Sequence, residues 1–175
     1  MTSHKQDTWF EDVLKSKMQW FIDAIDLPPG VADNAALQEN VFMMIVCVLN
    51  EVAIMVVGKP GSSKTLATQL ITTALNRSTK SELFHRCHFN SIEFFTYQCS
   101  QHSTARDIEE TFRKATERNE VSGSATTSVV LLDEVGLAEN TEAMPLKVLH
   151  KLLEKPEVAF IGLSNWQVRT CDLLH

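Results

Sequence analysis

A doubly wound α/β sandwich, its parallel sheet covered on both faces by helices, is the fold class that three observations in the sequence predict. Short, almost wholly apolar runs such as residues 52–57 and 128–132 alternate with segments of helical periodicity. The first run leads into a glycine-containing loop that opens a helix. The second leads into two adjacent carboxylates. Strands apolar on both faces need helices above and below them, and right-handed crossovers then bring the strand carboxyl ends to one edge, where ligands bind.

The elements follow in order. Thr8 and Glu11 have the spacing of a capping box, and Phe10, Val13, Leu14, Met18, Phe21 and Ile25 repeat at helical spacing until Pro28-Pro29-Gly30 stops the chain. Residues 1–30 are therefore expected to form an amphipathic helix and its stop, with the α/β domain in 31–175. Trp9, Trp20 and Phe21 are expected to pack on the core or act as a lid rather than dock elsewhere. Asn34 caps a second helix to about Asn50, nearly apolar after Glu39 and so buried on most sides. A strand at 52–57, a helix from Lys64 to about Asn76 and a strand at 92–97 come next. Thr104 or Ser103 then caps a helix to about Arg118, and 119–127 reads as an exposed loop. A strand at 128–132, a helix at 141–154 and a fourth strand at 158–163 complete the pattern.

The 175 residues are 44% hydrophobic, enough for one well-filled core. A formal charge of −6 argues against a nucleic-acid partner. Cys47, Cys87, Cys99 and Cys171 lie far apart, which suits reduced thiols. His85, Cys87 and His88 match no zinc-finger spacing and read as an amphipathic surface segment. Residues 1–7 lack the apolar stretch of a signal peptide, and the apolar run at 41–49 is too short to span a bilayer, so no membrane span and a cytoplasmic location are expected.

The chemistry lies in Gly58, Lys59, Pro60, Gly61, Ser62, Ser63, Lys64 and Thr65, with Leu66 continuing the helix. These residues form the phosphate loop of a P-loop NTPase, with Ser63 in place of its last glycine. Backbone N–H groups and the helix N-terminus face phosphates, Lys64 neutralises the β- and γ-oxygens, and the Thr65 hydroxyl coordinates Mg²⁺. Ser63 adds a hydroxyl able to donate to an oxygen if its φ is negative. At the end of the strand at 128–132, Asp133 supports the metal and Glu134 polarises the water that attacks the γ-phosphorus. Two solvated acids at a strand end are common, but behind an apolar strand and downstream of such a loop the chemical reading wins. Asn165, after the fourth strand, offers an amide that both donates and accepts.

In this order, the three elements resemble the N-terminal part of an AAA+ ATPase: Walker A at Gly58 to Thr65, Walker B at Leu131 to Glu134, and sensor 1 at Asn165. Further segments, among them Asn40-Val41-Phe42-Met43-Met44, Tyr97-Gln98-Cys99-Ser100, Val135-Gly136-Leu137-Ala138-Glu139, Met144-Pro145-Leu146-Lys147 and Gly162-Leu163-Ser164-Asn165-Trp166, are similar to the mysterin-type giant RING-finger E3 ubiquitin ligases, which carry a dynein-like row of AAA+ modules. A serine in the Walker A loop is a feature of that family. The resemblance runs from about Val31 to Trp166 and fades after Gln167.

It implies ATP and Mg²⁺ as cofactors, bound by Lys64, Thr65 and Asp133, with Glu134 as catalytic base and Asn165 as sensor. It also implies that neighbouring AAA+ modules of the same longer chain supply an arginine finger and a lid, since none of Arg77, Arg86, Arg106, Arg113, Arg118 or Arg169 is assignable as that finger. Ligase activity, and contact with the ubiquitin system, would then reside elsewhere. AAA+ sheets have the order 5-1-4-3-2, and neither a fifth strand nor a helical lid is legible here. The chain is thus expected to be a fragment or truncated product with an exposed apolar edge at 52–57 and poor solubility alone. A non-hydrolysing ATP-binding scaffold or remnant is the alternative, and a DNA-acting AAA+ ATPase is disfavoured by the acidic balance.

Overall fold

Strands β1 (Ile54–Val57), β2 (Ser91–Gln98), β3 (Thr126–Asp133) and β4 (Ala159–Ser164) form one parallel sheet in the spatial order β1-β4-β3-β2. This computed structural model describes residues 3–76, 82–123, 126–139 and 141–165. The strand order agrees with the 1-4-3-2 portion of the expected sheet, and among the described residues β1 is paired on one side only. Although last in sequence among the described strands, β4 sits between β1 and β3, with Ile161 opposite both Ile54 and Leu131. Every residue of β4 is buried, as a strand covered on both faces requires. At Gly162 a Cβ would lie 2.1 Å from Met55 Sδ, so any side chain there would first have to displace the Met55 thioether.

Helices α1 (Ser3–Asp23), α2 (Ala35–Leu49) and α3 (Lys64–Leu75) cover one face, where Met44, Ile45, Ile71, Leu131 and Ile161 share a core. On the other face, α5 (Ala105–Ser122) and α7 (Val148–Glu154) close over Ile108, Phe112, Leu132, Leu149 and Phe160. The short α4 (Glu82–Arg86) buries Phe84 against Trp20, Phe21 and Phe89. Two buried layers around a parallel sheet are the sandwich that the sequence predicts.

Several boundaries differ from expectation. Helix α1 already begins at Ser3, so Thr8 stands inside it rather than at its cap; nothing between Ser3 and Thr8 interrupts propagation of the helix. Only its last turn joins the core, through Trp20, Phe21 and Ile22, followed by Ile25, whereas Trp9 and Phe10 are 66% and 61% exposed. Trp9 therefore neither packs on the core nor covers it. In α2, Asn34 caps as expected, its Oδ1 accepting the Leu37 N–H at 3.0 Å. Its buried stripe is Leu37, Val41, Met44, Ile45 and Val48, while Met43 is exposed.

Strand β1 starts two residues later than expected. Glu51 takes a left-handed conformation after α2, and the Val52 N–H turns back to the Cys47 carbonyl. Thr104, not Ser103, caps α5, in a reciprocal capping box with Asp107. The expected loop at 119–127 is mostly regular: α5 runs to Ser122, Gly123 closes it at φ +60°, and β3 opens at Thr126. Asn119 staples this corner, accepting from the Ser128 N–H and donating to the Glu157 carbonyl.

The helix expected from Thr141 is delayed. Pro145 disfavours a helical conformation at Met144, which takes φ +40°, and a 3-10 turn at Pro145–Lys147 precedes α7. Helices α4 and α6 (Gly136–Glu139) were not expected, being too short to carry a period. His85, Cys87 and His88 lie at the end of α4 and in the turn after it, all exposed. Among the described residues, no helix is long and apolar enough to cross a membrane. Trp166, Cys171, Arg77, Arg169 and the 168–175 tail lie outside the described residues.

Candidate functional site

Where β1 ends, the Gly58 N–H donates to the Ser164 carbonyl at 3.2 Å, extending the sheet's bonding by one residue before the chain turns. The Ser62 N–H closes the turn on the Lys59 carbonyl, and Gly61 takes φ +79°. At Gly58 a Cβ would sit 2.7 Å from Ser62 Oγ, so a larger residue there would require that hydroxyl to rotate away.

Ser63 is the surprise of the loop. It is the N-cap of α3 at φ +59°, with no hydrogen bond from its side chain to the helix. The condition of a negative φ for a phosphate-directed hydroxyl is therefore not met. The left-handed backbone is why glycine suits this position, and a serine there carries a strain of roughly 1–2 kcal/mol.

Lys64 opens α3 and is 8% exposed. Its ammonium donates to the carbonyls of Gly58 and Lys59 at 2.8 and 3.0 Å, to Ser62 Oγ at 3.3 Å and to Asn165 Oδ1 at 3.2 Å. All four acceptors are neutral. A buried cation satisfied only by neutral oxygens still gains from an anion, because two opposite charges attract more strongly where water is excluded than a charge attracts a carbonyl dipole.

The opposite wall comes from two strand ends. Asp133 ends β3, and its Oδ1 accepts the Glu134 N–H at 2.8 Å. Glu134 then turns the chain at φ +52°, a conformation that non-glycine residues rarely adopt, and the Val135 N–H crosses to the Leu163 carbonyl. Asn165 follows β4 directly. Its Nδ2 donates to both Glu134 carboxylate oxygens at 3.3 and 3.0 Å while its Oδ1 faces Lys64. One amide thus spans a cation and an anion, each through its matching end.

A cavity of about 460 Å³ lies between these walls. Pro60, Gly61, Ser62, Ser63, Lys64, Thr65 and Leu66 line one side, with Asp133, Glu134 and Asn165 on the other. Gly58 and Lys59 stand behind it, contributing carbonyls to Lys64 rather than surface to the cavity. Thr65 is exposed, and half-buried Leu66 also packs on the core. No arginine among the described residues lines the cavity. Arg113 instead pairs with Glu110 and Glu117 on α5, and Arg118 with Glu93.

Two neighbours add to the site. The Cys99 N–H donates to the Asp133 carbonyl at 2.8 Å, and burial, reinforced by the Asp133 carboxylate, pushes the Cys99 thiol up to about 12. It stays a neutral thiol. The other is Asn40 of α2, whose Nδ2 donates to the Ser62 carbonyl at 2.8 Å. Asn40 was missed as a site residue: α2 also carries the amide of Gln38, which bonds to Gln19 and Asp33 instead, and only the tertiary fold distinguishes the two. Together these groups can take an anion at the loop and hold a base across from it.

Residues 30–172 match the RNF213 AAA domain family. The human E3 ubiquitin-protein ligase RNF213 is 40% identical over 167 residues, which make up 89% of this chain and 3% of the human protein. Mouse RNF213 is 40% identical over 158 residues, 83% of this chain and 3% of the mouse protein. Zebrafish E3 ubiquitin-protein ligase rnf213-beta is 38% identical over 169 residues, 89% of this chain and 3% of that protein. The chain therefore spans about 3% of the length of these relatives.

Proposed function

The chain belongs to the RNF213 AAA domain family, with the α/β fold of a P-loop NTPase, and on that premise we propose that it binds ATP with Mg²⁺ and hydrolyses it. It would do so as one AAA module of a longer ubiquitin-ligase polypeptide, with transfer of ubiquitin carried out by other parts of that chain. A single observation supports the reading best: buried Lys64, bonded only to neutral oxygens, is joined through Asn165 to the Glu134 carboxylate across one cavity.

In this reading the loop N–H groups and the N-terminus of α3 receive the phosphates, and Lys64 exchanges carbonyl oxygens for β- and γ-oxygens. Thr65 and Asp133 would hold Mg²⁺, which when bound offsets the charge on the phosphates. Among the described residues, no three His, Cys, Asp or Glu side chains gather into a metal site of their own. That suits magnesium, which keeps water and substrate phosphate as most of its ligands. Glu134 takes the proton of the water that attacks the γ-phosphorus, the bond to the β–γ bridging oxygen breaks, and ADP and phosphate leave. Asn165 orients the Glu134 carboxylate and, once Lys64 turns to phosphate, has its carbonyl free for that water. In this reading a neighbouring module would supply the arginine that completes the charge around the γ-phosphate. The free Cys47, Cys87 and Cys99 thiols favour a cytoplasmic setting.

Titration calorimetry and phosphate release test the reading. Lys64→Ala is expected to lose ATP binding, and Glu134→Gln to keep it while release falls by about 10²–10⁴-fold. Equal turnover in wild type and Glu134→Gln sinks the hydrolysis proposal. ATP binding without turnover, even beside the neighbouring modules, leaves the non-hydrolysing scaffold.

A further inference from the structure

We propose that Asn40 is a positioning residue for the phosphate loop, holding the Ser62 carbonyl so that Ser63 stays in its left-handed turn. The consequence for ATP affinity rests on the function proposed above; the effect on the loop itself does not.

Asn40 reaches the phosphate loop from outside it. It lies on α2, a helix that reaches the loop through space rather than along the chain, and its half-buried side chain donates to Ser62 O at 2.8 Å. Asparagine is a poor helix former, and this one directly precedes the apolar run beginning at Val41. Its side chain is committed to the loop instead of to the core.

The bond acts on a sensitive place. The Ser62 carbonyl and the Ser63 N–H belong to one planar peptide, so fixing the carbonyl direction restricts ψ of Ser62 and φ of Ser63 together. Ser63 is at φ +59°, and its side chain makes no capping bond to hold it there. Because the peptide is trans, pinning the carbonyl on α2 turns the Ser63 N–H away from α2, free to meet an anion. The Ser63 carbonyl, in turn, accepts the Ala67 N–H at 2.8 Å and starts α3. A serine at a position suited to glycine thus gains from outside the loop a restraint that its own backbone does not favour.

The test uses Asn40→Leu, which keeps the side-chain size, removes the donor and improves helix propensity. Amide hydrogen exchange in the nucleotide-free protein is expected to quicken about 3- to 10-fold at Ser62 and Ala67, the effect of losing one hydrogen bond, with the melting temperature unchanged or raised. ATP affinity is expected to fall by a similar factor. In a Ser63→Gly background, where the left-handed backbone carries no strain, the Asn40→Leu defect should shrink to less than about twofold. Unchanged exchange at Ser62 and Ala67 overturns the proposal, as does a defect of equal size in the Ser63→Gly background. A lowered melting temperature with exchange quickened throughout the fold also overturns it, since that is a purely structural role. If the wild type binds no ATP but exchange still quickens locally, the nucleotide reading fails and the role of Asn40 stands.

Discussion

Pro60 to Leu66 form one wall of the cavity as a contiguous segment, set by bonds within the loop and by one from Asn40, whereas Asp133, Glu134 and Asn165 meet across the other because two strands lie in register. The loop wall tolerates a misfit: Ser63 keeps a left-handed backbone, and the turn still closes around Lys64. The strand wall has no such slack. Its geometry depends on β4 threading between β1 and β3, where a side chain at Gly162 would have to push the Met55 thioether aside. A local motif can absorb strain within a few residues, while a composite one passes it to the whole sheet.

The largest expected effect therefore comes from the seam between the two walls. Gly162→Val puts a side chain where a Cβ alone would already lie 2.1 Å from Met55 Sδ. It should cost about 1–3 kcal/mol or more in urea denaturation and abolish ATP turnover. Trimming the obstacle with Met55→Ala should restore part of both. An unaltered denaturation midpoint in Gly162→Val would break the contrast between the walls.

A smaller and opposite effect is expected on the loop wall. Ser63→Gly relieves about 1–2 kcal/mol of left-handed strain but adds roughly 0.5–1 kcal/mol of chain entropy. Net stability should rise by up to about 1.5 kcal/mol in the same assay, with the bonds between Glu134 and Asn165 undisturbed. A loss of stability would mean that Ser63 is more than tolerated.

The smallest effect is expected at the start of α5, remote from the seam. The Asp107 carboxyl is held below its usual value chiefly by the Thr104 hydroxyl, then by the Thr104 N–H, with lesser help from Tyr97 and Arg106. A folded-state value below the ordinary 3.8 means the contribution is fully present above that pH and is lost as pH falls through the folded-state value. Thermal melts of wild type and Asp107→Asn should differ slightly at neutral pH and converge in acid, while the cavity bonds persist. A gap that widens in acid would reverse the sign argued here.

Much of this was legible from residues alone. The apolar runs gave the four strands, and the alternation with helices gave a parallel sheet. Asp133, Glu134 and Asn165 could be placed at strand ends because the runs before them stop where polarity begins. Periodicity did not reveal α4 and α6, since five- and four-residue turns carry no period. The delayed start of α7 was readable in Pro145 but was outweighed by the apolar spacing around it. The left-handed backbones of Ser63 and Glu134 are set by what surrounds them, as is the reach of Asn40 to Ser62. No local pattern carries such facts. The exposed Trp9 and Phe10 show the limit in the other direction: a helical stripe can be amphipathic over several turns and be covered in only one.

The bond from Lys64 to Asn165 joins residues 101 positions apart, and among the described residues β1 has no strand neighbour but β4. On a ribosome adding about 5–20 residues per second, the loop precedes its completing strand by roughly 5–20 seconds. Through that interval β1 lacks the one strand that pairs with it among the described residues, and closing so long a segment is slow compared with forming the helices on either side. The nascent chain thus passes through a stage with a finished lysine loop and no amide to meet it. The bonds from Asn165 to Lys64 and Glu134 cannot form until β4 is inserted.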